Sequence, residues 1–219
     1  MNDQPAACLF DLDGLLLDTE PLHGQAWSEA AAHFGGNLTL DQLLRLRGRR
    51  RQDCAHEVNQ WLPQAVGCEA LLAIQQPIAR RLMAQAPAMP GAESLIEHCH
   101  QQGIPMALVT SSGTESAAHK SAPHPWLQRI EMRVLGDDPD LKAGKPDPAP
   151  FRMAAERLGV LPQQCWALED SKAGTAAALA AGCLVWVLDP NLRINSTETN
   201  PYRINNLHYV LEHLINTND

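Results

Sequence analysis

Short apolar runs alternate with segments of helical period along most of this chain, and that alternation restricts the fold more than any other feature. Residues 6–10 (AACLF), 106–110 (MALVT), 132–135, 165–168 and 184–188 read as buried strands. The later strands are separated by helical segments over 92–102, 148–158 and 173–181, which stop at Gly103, Gly159 and Gly182. A polar segment after Gly113 also reads as helical until Pro123 and Pro125 break it, and residues 207–215 form a terminal helix. Strands alternating with helices predict a parallel sheet flanked by helices. Ligands of such sheets bind at the carboxyl ends of the strands.

One stretch breaks the alternation. Between Pro21 and Ala86 nothing reads as a strand, and helices are predicted after Glu20 and over 40–46, 52–62 and 69–86. In the first, Leu22, Ala26, Ala30 and Phe34 form one stripe that ends at Gly35 and Gly36. The stretch reads as a helical subdomain inserted after the first strand, which gives an α/β core over 1–17 and 88–219 and a helical insertion over 18–87.

Charge and cysteine usage remove several function classes. The 219 residues carry a formal net charge of -8, so the chain repels nucleic-acid backbones and anionic membranes, and neither is an expected partner. Arg45, Arg47, Arg49, Arg50 and Arg51 are a local exception, read as a solvated helix face with one arginine available for substrate. None of the six cysteines lies three residues from another, so neither a zinc ribbon nor a redox pair is expected. A reducing, cytoplasmic compartment follows. No apolar run approaches the roughly 20 residues that span a bilayer, and no signal peptide is evident. A monomer is the expected state.

The strand ends carry the chemistry. The first strand runs into Asp11-Leu12-Asp13-Gly14, the second into Thr110-Ser111-Ser112-Gly113, and a later one into Glu169-Asp170-Ser171, with Gly144-Lys145-Pro146 between them. If the strands are parallel, these carboxylates, the hydroxyl and the lysine meet at one edge. Clustered carboxylates need a cation, and an oxygen-only donor set suits Mg²⁺ rather than zinc. A carboxylate near such an ion can attack phosphorus, while a second one two residues on protonates the leaving oxygen and later activates water. The lysine offsets charge on the transferring group. Asp137, Asp138 and Asp140 read as a solvated turn, and His98 and His100 as ordinary helix residues.

The run Asp11-Leu12-Asp13-Gly14-Leu15-Leu16-Leu17-Asp18-Thr19-Glu20 resembles the first motif of the haloacid dehalogenase superfamily. Thr110, Lys145 and Glu169-Asp170 fall where its second, third and fourth motifs fall. The helical insertion resembles the small cap of the β-phosphoglucomutase-like phosphatases. Met89-Pro90-Gly91-Ala92-Glu93, Gly103-Ile104-Pro105, Thr110-Ser111-Ser112-Gly113 and Leu135-Gly136-Asp137-Asp138-Pro139 are similar to the pseudouridine 5'-phosphatase branch. The resemblance implies a Rossmann-like three-layer core with a cap that closes over substrate. It implies Asp11 as nucleophile and Asp13 as general acid and base. Thr110 and Lys145 would hold the phosphoryl group, helped by Ser111. Mg²⁺ would be bound by Asp11, the Asp13 carbonyl, Asp170 and Glu169. Asp13 speaks against a dehalogenase, because those members lack a carboxylate there.

The implied activity is a Mg²⁺-dependent phosphatase of small phosphorylated metabolites (sugar, polyol or nucleoside monophosphates), working through an aspartyl phosphate. Two alternatives stand beside it. His23 and Trp27 sit where β-phosphoglucomutases carry His and Trp, and Gly48-Arg49-Arg50-Arg51 resembles their Gly-x-x-Arg, so a sugar phosphomutase with His23 and Arg51 on substrate is one. A non-catalytic binding protein is the other, opposed by the intact Asp11, Asp13, Lys145 and Asp170 set.

Overall fold

The computed structural model describes residues 4–46, 51–196 and 198–216. The chain divides into two compact units, one formed by Met1–Leu17 with Pro87–Asp219 and the other by Asp18–Ala86.

The first unit is built on a six-stranded sheet. Its strands are β1 (Ala7–Phe10), β2 (Met106–Val109), β3 (Met132–Val134), β4 (Cys165–Glu169), β5 (Leu184–Leu188) and β6 (Tyr202–Ile204), in the spatial order β3-β2-β1-β4-β5-β6. Every neighbouring pair is parallel. Strand order reverses at β1, which has β2 on one side and β4 on the other, and that reversal is where open parallel sheets leave a crevice for ligands. Phe10 is in register with Leu108 of β2 and Leu168 of β4, so the three chains leave the sheet at nearly the same level.

Strands β1, β2 and β5 are apolar throughout, and β4 is apolar up to Glu169, because both faces of the sheet are covered. On one face Ala7, Leu9, Ala107, Val109, Ala167 and Val185 pack with Phe151, Ala154 and Ala155 of α7 (Ala149–Arg157) and Ala177, Ala178 and Ala181 of α8 (Lys172–Ala181). On the other, Trp166 and Trp186 make tilted and edge-on ring contacts with His213 of α9 (His208–Asn216), and this helix in turn packs on α5 (Ala92–Gln101). The three layers of the α/β core follow. Tryptophans 166 and 186 fill the core, as their place in the strands implies. The sixth strand departs from the five-strand reading. It has only three residues, too few for a periodic signal.

Within the same unit, α6 (Thr114–Ser121) follows β2. Its first residue is anchored by Asp137, whose carboxylate accepts the Thr114 N–H at 2.9 Å and the Thr114 hydroxyl at 2.9 Å. Asp138 and Asp140 accept from Arg157 at 2.6 and 3.1 Å. The acidic turn is therefore a tether between α6 and α7 and not merely a solvated loop.

The second unit is helical: α1 (Glu20–His33), α2 (Leu40–Leu46), α3 (Arg51–Trp61) and α4 (Cys68–Met83). Trp27, Ala30 and Ala31 of α1 share a core with Leu46, Cys54, Ala55, Val58, Leu71 and Leu72. Glu29 and Arg81 join α1 to α4 at 2.6 Å. The last helix ends at Met83 and not at Ala86, and it accommodates Pro77 in its interior. Arg45 lies 5.5 Å from the Trp61 ring centroid and 3.8 Å from Glu57, so it belongs to the fold of this unit. Arg47, Gly48, Arg49 and Arg50 lie outside the described residues. No helix among the described residues is long and apolar enough to cross a membrane. All six cysteines are free thiols.

Candidate active site

Asp11 leaves the end of β1 at the strand-order reversal. Its backbone N–H donates to the Leu168 carbonyl at 3.1 Å, which continues the β1–β4 ladder by one residue. The side chain is buried, and Lys145 Nζ donates to its Oδ1 at 2.6 Å. The same ammonium donates to Glu169 Oε1 and, at 2.8 Å, to the Val109 carbonyl at the end of β2. Lys145 therefore joins the ends of three adjacent strands. Its Nζ also lies 5.3 Å from the Phe151 ring centroid.

Electrostatics follow from this crowding. Burial pushes the Asp11 carboxyl up, Lys145 pulls it down, and Glu169 and Asp13 push it up again; the outcome is a pKa raised to about 7. Burial works to lower the Lys145 pKa, but Asp11 and Glu169 outweigh it and hold the ammonium well above its ordinary value. The lysine stays charged.

Glu169 is wholly buried. Its Oε2 accepts the Ser171 hydroxyl at 3.0 Å and the Ser171 N–H at 3.3 Å, and Ser171 Oγ caps α8 by accepting from Gly174 N at 3.0 Å. A β-carbon on Gly174 would stand 1.9 Å from Glu169 Oε1, so glycine opens the space that this carboxylate fills. Asp170 follows on the same loop. Asp11, Glu169 and Asp170 each present an oxygen within 4.8 Å of the others, an oxygen-only set that fits a hard divalent ion such as Mg²⁺.

Asp13 lies two residues beyond Asp11 and has its own cation. Lys120 Nζ donates to Asp13 Oδ1 at 2.6 Å and also reaches Oδ2, while Ser112 Oγ donates to Oδ2 at 2.8 Å. Ser112 belongs to the run that ends the second strand but was given no role there, and Lys120 is not among the residues singled out from the sequence. Thr110 is buried at the end of β2, where its Oγ1 accepts the Ser112 N–H at 3.1 Å. Ser111 is exposed beside it. The core unit thus brings together Asp11, Asp13, Thr110, Ser111, Lys145, Glu169 and Asp170. His23 and Arg51 belong to the helical unit, where they line a cavity of about 460 Å³ together with Trp27 and Gln75.

Comparison with known proteins identifies the family. The family model of the haloacid dehalogenase-like hydrolases matches residues 5–182. A relative described as a probable pseudouridine-5'-phosphatase, from Drosophila melanogaster, is 34% identical over 196 residues, covering 88% of this chain and 84% of its own. Hexitol phosphatase A of Escherichia coli K12 is 33% identical over 213 residues, covering 94% and 90%. Among solved structures, a Thermotoga maritima protein provisionally designated a β-phosphoglucomutase superposes with a TM-score of 0.82 at 26% identity, covering 95% of this chain and 99% of that one. The chain belongs to the haloacid dehalogenase-like hydrolase family and is one of its phosphoric monoester hydrolases.

Proposed function

We propose that this enzyme is a Mg²⁺-dependent phosphatase of small phosphomonoesters that works through a phosphorylated Asp11. The observation that carries the reading is the buried Asp11 at the strand-order reversal, fixed by Lys145 at 2.6 Å and grouped with two further carboxylates. An Asp11 oxygen attacks phosphorus, the ester P–O bond breaks, and Asp13 gives its proton to the departing alkoxide. Asp13 then takes a proton from water, which attacks the acyl phosphate and frees Asp11 and inorganic phosphate. Lys145 and Thr110 hold the phosphoryl oxygens, with Ser111 assisting. Positioning and charge stabilisation of this kind are what phosphoryl transfer chiefly demands.

Asp11, Asp170 and the Asp13 carbonyl would hold Mg²⁺, and Glu169, shared between Lys145 and Ser171, completes the acidic group. When bound, the ion supplies Lewis-acid charge that lets a carboxylate meet an anionic ester. The three carboxylates with oxygens within 4.8 Å of one another support this, since such a group favours a divalent cation.

The substrate class is a sugar, polyol or nucleoside monophosphate. The relatives named above support that range, as does the cavity holding His23 and Arg51, to which we assign substrate contacts. The six free thiols support a reducing, cytoplasmic setting. We take the enzyme to act as a monomer. A second reading, transfer to a sugar hydroxyl, is favoured by one observation: His23 and Arg51 line the same cavity.

The test is phosphate release with Mg²⁺ from pseudouridine 5'-phosphate, glycerol 3-phosphate, hexose 6-phosphates, phosphoglycolate and β-glucose 1-phosphate, beside Asp11→Asn. Release that vanishes in the variant is the expected result. Isomerisation of β-glucose 1-phosphate without release, on addition of a bisphosphate, would select the mutase. Activity that survives Asp11→Asn would refute the mechanism.

A further inference from the structure

We propose that Lys120, seconded by Ser112, is the positioning residue of the general acid: it holds the Asp13 carboxyl group, which must carry a proton when the ester P–O bond breaks, where a leaving oxygen can take that proton. The inference rests on the reading of Asp13 above and adds to it a residue that takes no part in phosphate or metal binding.

The geometry is a closed triangle. Lys120 Nζ donates to both Asp13 oxygens, to Oδ1 at 2.6 Å, and to Ser112 Oγ at 2.7 Å. Ser112 spends its one proton on Asp13 Oδ2 at 2.8 Å. Two members are held from outside the triangle. Ser112 N–H donates to Thr110 Oγ1 at 3.1 Å, tying it to the end of β2. Lys120 lies in the last turn of α6, whose first turn is anchored through Thr114 to Asp137. Asp13 is left as the partly open corner, with a quarter of its side chain exposed, against 4% for Lys120.

Stability does not account for this lysine. Ordering and desolvating a lysine side chain costs free energy, and replacing a buried ion pair with apolar side chains is often neutral or stabilising. The remainder of α6 is largely solvent-facing, and only Ala117 is buried with Lys120. An apolar residue at 120 would complete that face more cheaply. What the lysine adds is orientation. A carboxylate on a loop samples several rotamers, whereas one gripped at both oxygens is fixed. Misplacing a catalytic group by about 1 Å costs on the order of 100-fold in rate.

The division of labour follows from the distances. Lys145 serves Asp11 and the transferring group, whereas Lys120 serves Asp13 and the leaving group. The consequence is selective. Loss of Lys120 should harm esters whose leaving oxygen needs a proton and spare those whose leaving group departs as an anion.

The experiment measures single-turnover phosphorylation of Asp11 by two substrates: the fastest alkyl monoester of the panel above, and p-nitrophenyl phosphate, read as first-turnover p-nitrophenolate. The proteins are wild type, Lys120→Met, Ser112→Ala, Asp13→Asn and the Lys120→Met/Asp13→Asn double variant. Lys120→Met should slow the alkyl ester about 10- to 100-fold and the aryl ester by less than about threefold. Ser112→Ala, which keeps the buried lysine, should show the same preference more weakly. The double variant should be no slower than Asp13→Asn on the alkyl ester, because the two residues act as one unit. Equal slowing of both esters by Lys120→Met, or full additivity with Asp13→Asn, would overturn the proposal. If Asp13→Asn discriminates between the esters and neither Lys120→Met nor Ser112→Ala does, Lys120 is excluded while Asp13 stands. If Asp13→Asn itself slows both equally, the assignment of Asp13 fails and this inference with it.

Discussion

A β-carbon on Gly14 would stand 2.1 Å from Oδ2 of Asp170, and Gly14 has φ of 82°, in the left-handed region. The chain reversal after Asp13 and the seat of the Asp170 carboxylate are therefore one requirement, met by the absence of a side chain. Gly14→Ala must both strain the backbone and displace the Asp170 carboxylate, which we propose as a metal ligand. The expected outcome is a rise of about 10-fold or more in the Mg²⁺ concentration giving half-maximal activity. It should come with a lower melting temperature, from roughly 1–2 kcal/mol of left-handed strain. Magnesium titration of the rate, beside thermal unfolding in a chelator, separates the two effects. An unchanged magnesium requirement would remove Asp170 from the metal site.

Lys145 and Lys120 are both buried, yet their loss should differ in kind. Lys145→Met leaves Asp11 and Glu169 buried side by side without the ammonium that joins them. Breaking a buried pair in this way costs about 3–5 kcal/mol. The variant should unfold at a clearly lower temperature and lose activity on alkyl and aryl esters alike. Lys120→Met, whose partner Asp13 is partly exposed, should lose much less stability. Calorimetry of the two variants checks the ordering, and equal destabilisation would show that the two pairs do the same structural work.

Asp137 supports Asp13 from a distance, through Thr114 and α6. Its carboxylate is held below its ordinary pKa by the Thr114 N–H and hydroxyl. Asp137→Ala removes the anchor from the first turn of the helix that carries Lys120 in its last turn. Amide hydrogen exchange in Thr114–Ser121 should quicken while exchange in the β-strands is unaltered. The alkyl-ester rate should fall in the direction of Lys120→Met. Asp137→Asn, which keeps an acceptor, should recover part of both. Unchanged exchange in α6 would dismiss the anchor.

Much of this site is legible in the sequence because it sits where strands end. Asp11, Thr110 and Glu169 each terminate an apolar run, and parallel strands deliver such ends to one edge. Lys145 is legible only through its fixed Gly-Lys-Pro setting. Lys120 escaped because a lysine in a polar helix reads as solvated. The signal was present but faint: Lys120 lies three residues after Ala117, so both fall on one helix face, and that face is the buried one. Ser112 escaped for a different reason, since Ser-Ser-Gly is also ordinary turn chemistry. Strand β6 shows the limit of periodicity. Its buried, exposed, buried pattern over Tyr202, Arg203 and Ile204 is right for a strand but too brief to stand out.

The elevated Asp11 carboxyl makes stability depend on pH in a sense opposite to the usual carboxylate. Its pKa rises from 3.8 to about 7 on folding, chiefly through burial. Between those values the folded protein holds a proton that the unfolded chain has released. The contribution is full below about pH 4 and is lost as pH rises through about 7, with a slope of at most about 1.4 kcal/mol per unit. Lys145 adds no slope in this window, because its ammonium is charged both folded and unfolded. In a chelator, wild type should thus lose melting temperature relative to Asp11→Asn as pH rises from 4 to 7.5, since the amide does not titrate. Added Mg²⁺ should restore wild type at pH 7.5 and do little for Asp11→Asn, because the ion binds the ionised carboxylate that burial disfavours. Parallel melting curves for the two proteins across that range would show that Asp11 is ionised throughout, and that Lys145 alone offsets its burial.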